Sequence, residues 1–211
     1  MMASYISQVI KKHSVLVCIL ISAAFILIAS QLYPGGSLHD KNSVGFIWSK
    51  NFISNLFAEK ALNGMDNPGR LWAIIGMAFH SVGDGIFFIN MSKKIYDRHA
   101  STVLKIVGTA NILFNFLIAT SLHDMMVTVS STFSLLGLFY ITVFILKSRL
   151  NVLKFCCVMS MLIFYYTLYL YGAGDWQLLA IMQKVSLLIS MFLVLGLEYF
   201  TNSNDFKQTI K

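Results

Sequence analysis

The sequence predicts an all-α fold, a polytopic transmembrane bundle of six helices with an outward loop that carries a short interfacial helix. Three observations predict it: charge is scarce, apolar residues fall into blocks long enough to cross a bilayer, and the basic residues favour one side of those blocks. Hydrophobic residues make up 57% of the 211-residue chain and charged residues only 12%, against about a quarter charged in a typical soluble domain. Mean hydropathy is +0.71. Each charge held at mid-bilayer costs about 2.5–3.5 kcal/mol on insertion scales, so a chain built to cross hydrocarbon carries few. A soluble body of this size has too little interior to hide so much apolar surface.

A spanning helix needs about 20 mostly apolar residues. The first block, Ser14–Tyr33, competes with a signal peptide. It is longer than an ordinary signal-peptide core and has no clean small-x-small cleavage site after it, so it reads as a retained anchor. The next stretch, residues 34–70, is too interrupted to span. Five further spans read as Leu71–Ser92, Ser101–Ser121, Met125–Leu146, Val152–Gly172 and Gln177–Phe200. The connections between these five are very short, which makes sequential helices antiparallel neighbours. One membrane domain is expected over the whole chain, with no soluble domain or linker left over.

Orientation follows the distribution of Lys and Arg. One set of flanks holds Lys11, Lys12, Lys93, Lys94, Arg98, Lys105, Lys147, Arg149, Lys154, Lys207 and Lys211. The other holds Lys41, Lys50, Lys60 and Arg70, and Lys184 falls inside a span. Eleven against four predicts both termini in the cytoplasm and the 34–70 loop outside, in a plasma membrane of bacterial type. The net charge of +7 does not point to nucleic acid, because the basic residues stand singly between apolar blocks and make no dense patch. The expected partner is the lipid bilayer, with a lipid or small molecule as ligand. Cys18, Cys156 and Cys157 all lie in apolar runs without CxxC spacing and read as small buried hydrophobes.

The 34–70 segment is the most distinctive part. Residues 46–57 are aromatic-rich, with Phe46, Ile53, Leu56 and Phe57 at helix-like spacing. This piece would lie in the interface as a short amphipathic helix or cap the bundle from outside. Asn63-Gly64 and Asn67-Pro68-Gly69 follow as turn signals. Tyr33-Pro34-Gly35-Gly36, then Asn51-Phe52-Ile53-Ser54-Asn55-Leu56, then Asn63-Gly64 and Asn67-Pro68 leading into a membrane helix, resemble the membrane proteins grouped as domain of unknown function 998. Those usually carry an Ile-Ser-Asp-Leu-Gly-like box before an Asn-Pro turn. More distantly the chain is similar to the six-helix FGF-receptor-activating-protein/DRAM/Sfk group. Asn55 stands where the first group commonly has Asp, and Phe57 where it has Gly. The resemblance covers about 35 residues, and it implies a six-helix bundle with an outer loop and no established activity.

Ionisable groups inside spans are costly, so each is a candidate functional residue. Here they are His80, Asp84 and Lys184, with Asn111 and Asn115 and the serines Ser130, Ser131 and Ser134 as further polar groups. His80/Asp84 and Asn111/Asn115 each have i,i+4 spacing and so share a helical face. At 1.5 Å rise per residue, His80 lies about 13 Å below the outer edge, Lys184 about 10 Å, Asn115 about 9 Å, and Asn111 and Asp84 about 15–20 Å. His123 and Asp124 sit just above, at a helix–helix turn. A polar pocket opening outward is therefore expected, its ligand-binding residues being His80, Asp84, Asn111, Asn115, His123, Asp124 and Lys184. Trp48, Asn51, Ser54 and Asn55 would form its loop lid, and an Asp84–Lys184 ion pair would neutralise the two most expensive charges.

Each of these features also has a purely structural explanation. His80/Asp84 would be an intrahelical clasp tied to Lys184, the asparagines interhelical glue, and Asp124 a helix cap on a solvated turn. Gly76, Gly83 and Gly85 would permit close helix packing, and Tyr165, Tyr166, Tyr169 and Tyr171 would be packing and interface residues.

Three functions compete. The first is a protein that binds, or takes part in transporting, a small polar molecule or lipid head group. The second is a structural or partner-binding membrane protein. The third is an intramembrane hydrolase with zinc held by His80, Asp84 and His123, for which the ligand count is thin and Lys184 would repel the cation. No Walker loop, GxSxG, HExxH, CxxCH or dinucleotide fingerprint is present. Catalysis thus has no sequence support; no catalytic residue, metal ligand set or cofactor is expected, and the reading leans against an enzyme.

Overall fold

The computed structural model describes residues 12–209. Six helices are long and apolar enough to cross a membrane. They are α1 (Ser14–Leu32), α2 (Arg70–Lys94), α3 (Arg98–Leu117), α4 (His123–Lys147), α5 (Asn151–Ala173) and α6 (Trp176–Phe200). The chain is a multi-pass helical membrane protein. Among the described residues, β-structure is limited to two isolated bridges, Gly35–Val44 and Lys60–Asp66, both in the α1–α2 loop. Lys11 and Lys211, two of the basic residues used to orient the chain, lie outside the described residues.

The helix boundaries follow local chemistry. Asp97 accepts from the Ala100 amide at 2.7 Å and so starts α3 at Arg98, satisfying one of the orphan donors of the first turn. Asp175 does the same for α6 through the Leu178 amide at 3.1 Å. Gly174, with φ 75°, closes α5 in the left-handed conformation that suits glycine. The third span ends at Leu117, short of the expected Ser121. The Thr120 hydroxyl donates to the Leu117 carbonyl and accepts from the Leu122 amide, and a turn forms before α4 begins at His123.

Sequential helices pack as neighbours, and α6 closes the bundle by touching α1 and α2. Helix α2 sits centrally because its glycines let two partners approach closely. A Cβ at Gly76 would stand 3.2 Å from the Ser22 carbonyl of α1, and one at Gly83 would stand 2.8 Å from the Cys18 side chain. On the opposite side the α2 and α3 backbones meet, since a Cβ at Gly85 would lie 2.7 Å from the Gly108 carbonyl and the reverse distance is also 2.7 Å. By contrast, α5 buries only Cys157, Ser160 and Leu170.

Two apolar clusters form the core. One gathers Phe87, Phe88, Met91, Leu104, Ile141, Ile145, Leu197 and Phe206 toward the end where α1 begins and α6 finishes. The other gathers Ala29, Tyr33, Ile53, Leu56, Phe57, Ala73 and Ala119 under the 33–69 loop. On α2, Asp84 falls between them.

The short helix expected within the loop is a single 3₁₀ turn, Ile53–Phe57. Of the two placements open to it, it takes the cap. Ile53, Leu56 and Phe57 are buried against Ala29, Tyr33 and Ala73 at the helix ends. At the other end Lys94 donates to the Glu198 carbonyl at 2.7 Å and the Leu197 carbonyl at 3.3 Å, satisfying the last turn of α6. Its ammonium lies 3.8 Å from the Glu198 carboxylate, whose other oxygen accepts from Asn90 at 2.7 Å.

Candidate functional site

A cavity of about 800 Å³ runs down the centre of the bundle, lined by all six helices and the loop. That is within the range of about 300–1,000 Å³ typical of small-molecule sites, which in helical proteins lie between the helices of the bundle. Trp48, Tyr171 and Trp176 stand at its loop end, and Phe87, Leu193 and Leu197 line its deeper part. Most of the wall is apolar, and polar groups from every helix are set into it, most densely on α4 and α6.

The polar centre is a directional hydrogen-bond network. Asp84 Oδ2 accepts from Asn111 Nδ2 at 2.9 Å and from Asn115 Nδ2 at 3.1 Å. Asn111 Nδ2 also donates to Ser134 Oγ at 3.0 Å, and Ser130 Oγ donates to Asn115 Oδ1. Helix geometry explains the convergence. Asn111 and Asn115 lie one turn apart on one face of α3, and the Gly85–Gly108 approach brings that face against Asp84. Asn111 is fully buried, and its Oδ1 has no hydrogen-bond partner. Asp84 lines the cavity together with His80, one turn nearer the loop, and Asn115, Ser130, Ser131 and Ser134.

Lys184 makes no ion pair with Asp84. Its ammonium donates to the backbone carbonyls of Asn51 in the loop and Ala180 one turn earlier. The preceding Gln183 accepts from the Ile53 amide at 2.9 Å. The expectation of a charge pair fails on depth. Lys184 lies eight residues into α6, about 12 Å, whereas Asp84 lies fourteen residues into α2, about 21 Å. The lysine reaches up to carbonyls that need a donor, and with Gln183 it latches the loop to α6.

The four expected lid residues divide in two. Trp48 and Ser54 line the cavity. Asn51 and Asn55 instead hold the loop's own backbone. Asn51, fully buried, donates to the Gly36 carbonyl at 2.7 Å and accepts from the Ile47 amide at 2.9 Å. Asn55 accepts from the Phe52 amide at 2.7 Å. Asn67 of the Asn-Pro turn acts likewise, donating to the Leu56 and Ala58 carbonyls and accepting from Gly69. Side-chain amides substitute for secondary structure here, as short polar side chains do in turns.

His123 and Asp124 line the cavity from the first turn of α4, with His123 Nδ1 2.8 Å from the Ile118 carbonyl. Asn111 stands behind Asp84 rather than among the lining residues. The zinc set of His80, Asp84 and His123 does not assemble, because among the described residues no three His, Cys, Asp or Glu side chains gather closely enough to hold a metal ion. Sequence reasoning passed over Ser160 and Thr167 on α5 and Ser186 and Ser190 on α6, all of which line the cavity. The i,i+4 spacing of Ser186 and Ser190 was the available signal.

Comparison with protein-family models, with curated proteins and with solved structures found no match to this chain.

Asn51→Ala is expected to destabilise the protein by about 1–3 kcal/mol, the cost of leaving buried backbone groups unpaired. Chemical unfolding in detergent measures it. Unchanged stability with a lost ligand response would instead make Asn51 a ligand contact.

Proposed function

We propose that this protein binds an amphiphilic, lipid-like molecule inside the membrane, its polar end at His80, Asp84, Asn115, Ser131 and Ser134 and its apolar part along Phe87, Leu138, Leu187, Leu193 and Leu197. The observation that carries this reading is the central cavity: about 800 Å³, mostly apolar, with polar groups set into its wall around Asp84 and beyond it. A wholly polar solute would leave most of that wall without a favourable partner, and a pure hydrocarbon would leave Asp84 facing nothing polar. The Asp84 network has the character of a preorganised site, since both asparagine amides are already turned toward the carboxylate. His123, Asp124 and Lys184 then flank the entrance, under a loop held by Gln183 and Lys184. The likeness of residues 33–68 to domain of unknown function 998 fits this account, in which the paired asparagines of that segment build the roof.

The purified protein should retain co-extracted lipid in native mass spectrometry. Ser131→Phe and Ser190→Phe, which place a ring in the cavity, should lower that occupancy at least tenfold while the variants still unfold cooperatively. Filled variants that hold as much lipid as the wild type would rule the cavity out as the binding site.

The loop end is the outer face and both termini are cytoplasmic, in a plasma membrane. The support is charge: Lys41, Lys50, Lys60 and Arg70 stand at the loop end, whereas Lys12, Lys93, Lys94, Arg98, Lys105, Lys147, Arg149, Lys154 and Lys207 stand toward the other. A cytoplasm-active reporter fused at either terminus should be active and the same reporter inserted near Lys41 inactive. The opposite pattern would invert the model.

A further inference from the structure

The charge balance of the cavity specifies its ligand further, on the footing of the binding function just proposed. Among the described residues, both side-chain hydrogen bonds to Asp84 are donated to Oδ2. The chain from Ser130 to Asn115 to Asp84 runs in one direction, each group donating to the next. An array of donors matches an ionised carboxylate, which only accepts; a neutral carboxyl would call for an acceptor as well. Among the described residues no lysine or arginine pairs with the charge so arranged. Lys184 is committed to two backbone carbonyls and lies about 9 Å higher along the bundle. The described ion pairs are Lys60–Asp66, Arg70–Glu59 and Lys94–Glu198, none of which involves Asp84.

The other titratable groups on the cavity wall are His80, His123, Asp124 and Tyr171. His80 stands one turn toward the loop and acts on Asp84 electrostatically, with no hydrogen bond between the two among the described residues. His123 is turned to the Ile118 carbonyl, and Asp124 carries the same sign as Asp84. Asp84 Oδ1 has no hydrogen-bond partner among the described residues, and the carboxylate borders an apolar chamber in which an unpaired charge is expensive.

We infer that the ligand's polar end is a cation, a primary ammonium on an apolar chain, and that Asp84 is its counter-ion. An ammonium offers three donors: one for Asp84 Oδ1, leaving others for acceptors such as Ser131 and Ser134, which line the same stretch of wall. A hydroxyl in the same place makes a neutral-to-charged hydrogen bond without cancelling the charge, and a carboxylate adds repulsion. Among amphiphiles of equal chain length the site therefore ranks amine above alcohol above carboxylate.

The test uses the full chain in an uncharged detergent at pH 7, with dodecylamine, dodecanol and dodecanoate as probes and calorimetric titration as readout. In the wild type the amine should bind roughly tenfold more tightly than the alcohol, and the carboxylate more weakly than either. In Asp84→Asn the amine's advantage over the alcohol should shrink to within about threefold. Equal or tighter binding of the alcohol or the carboxylate by the wild type overturns the inference and leaves the cavity's binding role standing. So does an amine advantage that survives Asp84→Asn. Binding of none of the three overturns both. The wild-type ranking decides the matter without the variant, should Asp84→Asn fail to fold.

Discussion

Hydrocarbon offers no hydrogen bonds, so a carboxylate in the middle of a spanning helix obliges the surrounding protein to supply them. That obligation organises this bundle. Asp84 takes its donors from Asn111 and Asn115 on the next helix, and they reach it only because Gly85 and Gly108 let the two backbones meet. Larger residues at either glycine would hold α3 away and leave the acid unsatisfied. With Gly76 and Gly83 doing the same toward α1, helices α1 to α3 form a close-packed unit, while α5 keeps little of itself buried. The cavity lies where this unit faces the looser helices.

The 33–69 loop belongs to the same arrangement. It is a fixed roof rather than a free flap, since its turns are tied by Asn51, Asn55 and Asn67 and its underside is buried on the helix ends. Gly36 has φ 85°, and a Cβ there would lie 2.3 Å from the Asn63 amide nitrogen, so the two arms of the loop pack against each other at a position only glycine fits. Lys184, the charge expected to balance Asp84, instead joins this roof to α6. The acid and the base therefore serve separate ends of the site. One stabilises the closure, and the other is left to face the chamber.

How much of this was legible beforehand varied with the kind of signal. The six spans were readable because apolar length is a one-dimensional property, and α2 and α5 begin and end within a residue or two of where hydropathy puts them. The third span was read too long at its end, because Thr120 makes a turn through its hydroxyl in a stretch that is still apolar overall. Sequence spacing put Asn111 and Asn115 on one face of α3 and Asp84 at about the depth of Asn111, and the three do converge. The same reasoning paired Asp84 with Lys184, which requires knowing how far each helix is inserted and where a long side chain turns. The asparagines of the loop looked like ligand groups because nothing in sequence distinguishes an amide that binds a guest from one that binds its own backbone. The hydroxyls of α5 and α6 were passed over because serine is common in membrane helices, and the i,i+4 spacing of Ser186 and Ser190 does not by itself mark a cavity wall.

The central claim is that Asp84 is held by direct contact with the asparagines of α3. A double-mutant cycle measures this most directly, with Asp84→Ala, Asn115→Ala and the pair compared by reversible unfolding in micelles. The account predicts that the two changes are coupled by about 1–2 kcal/mol, at the upper end of polar contacts within membranes. Strictly additive effects, with no coupling beyond about 0.3 kcal/mol, would mean the acid and the amide do not meet, and the site built on them would be lost.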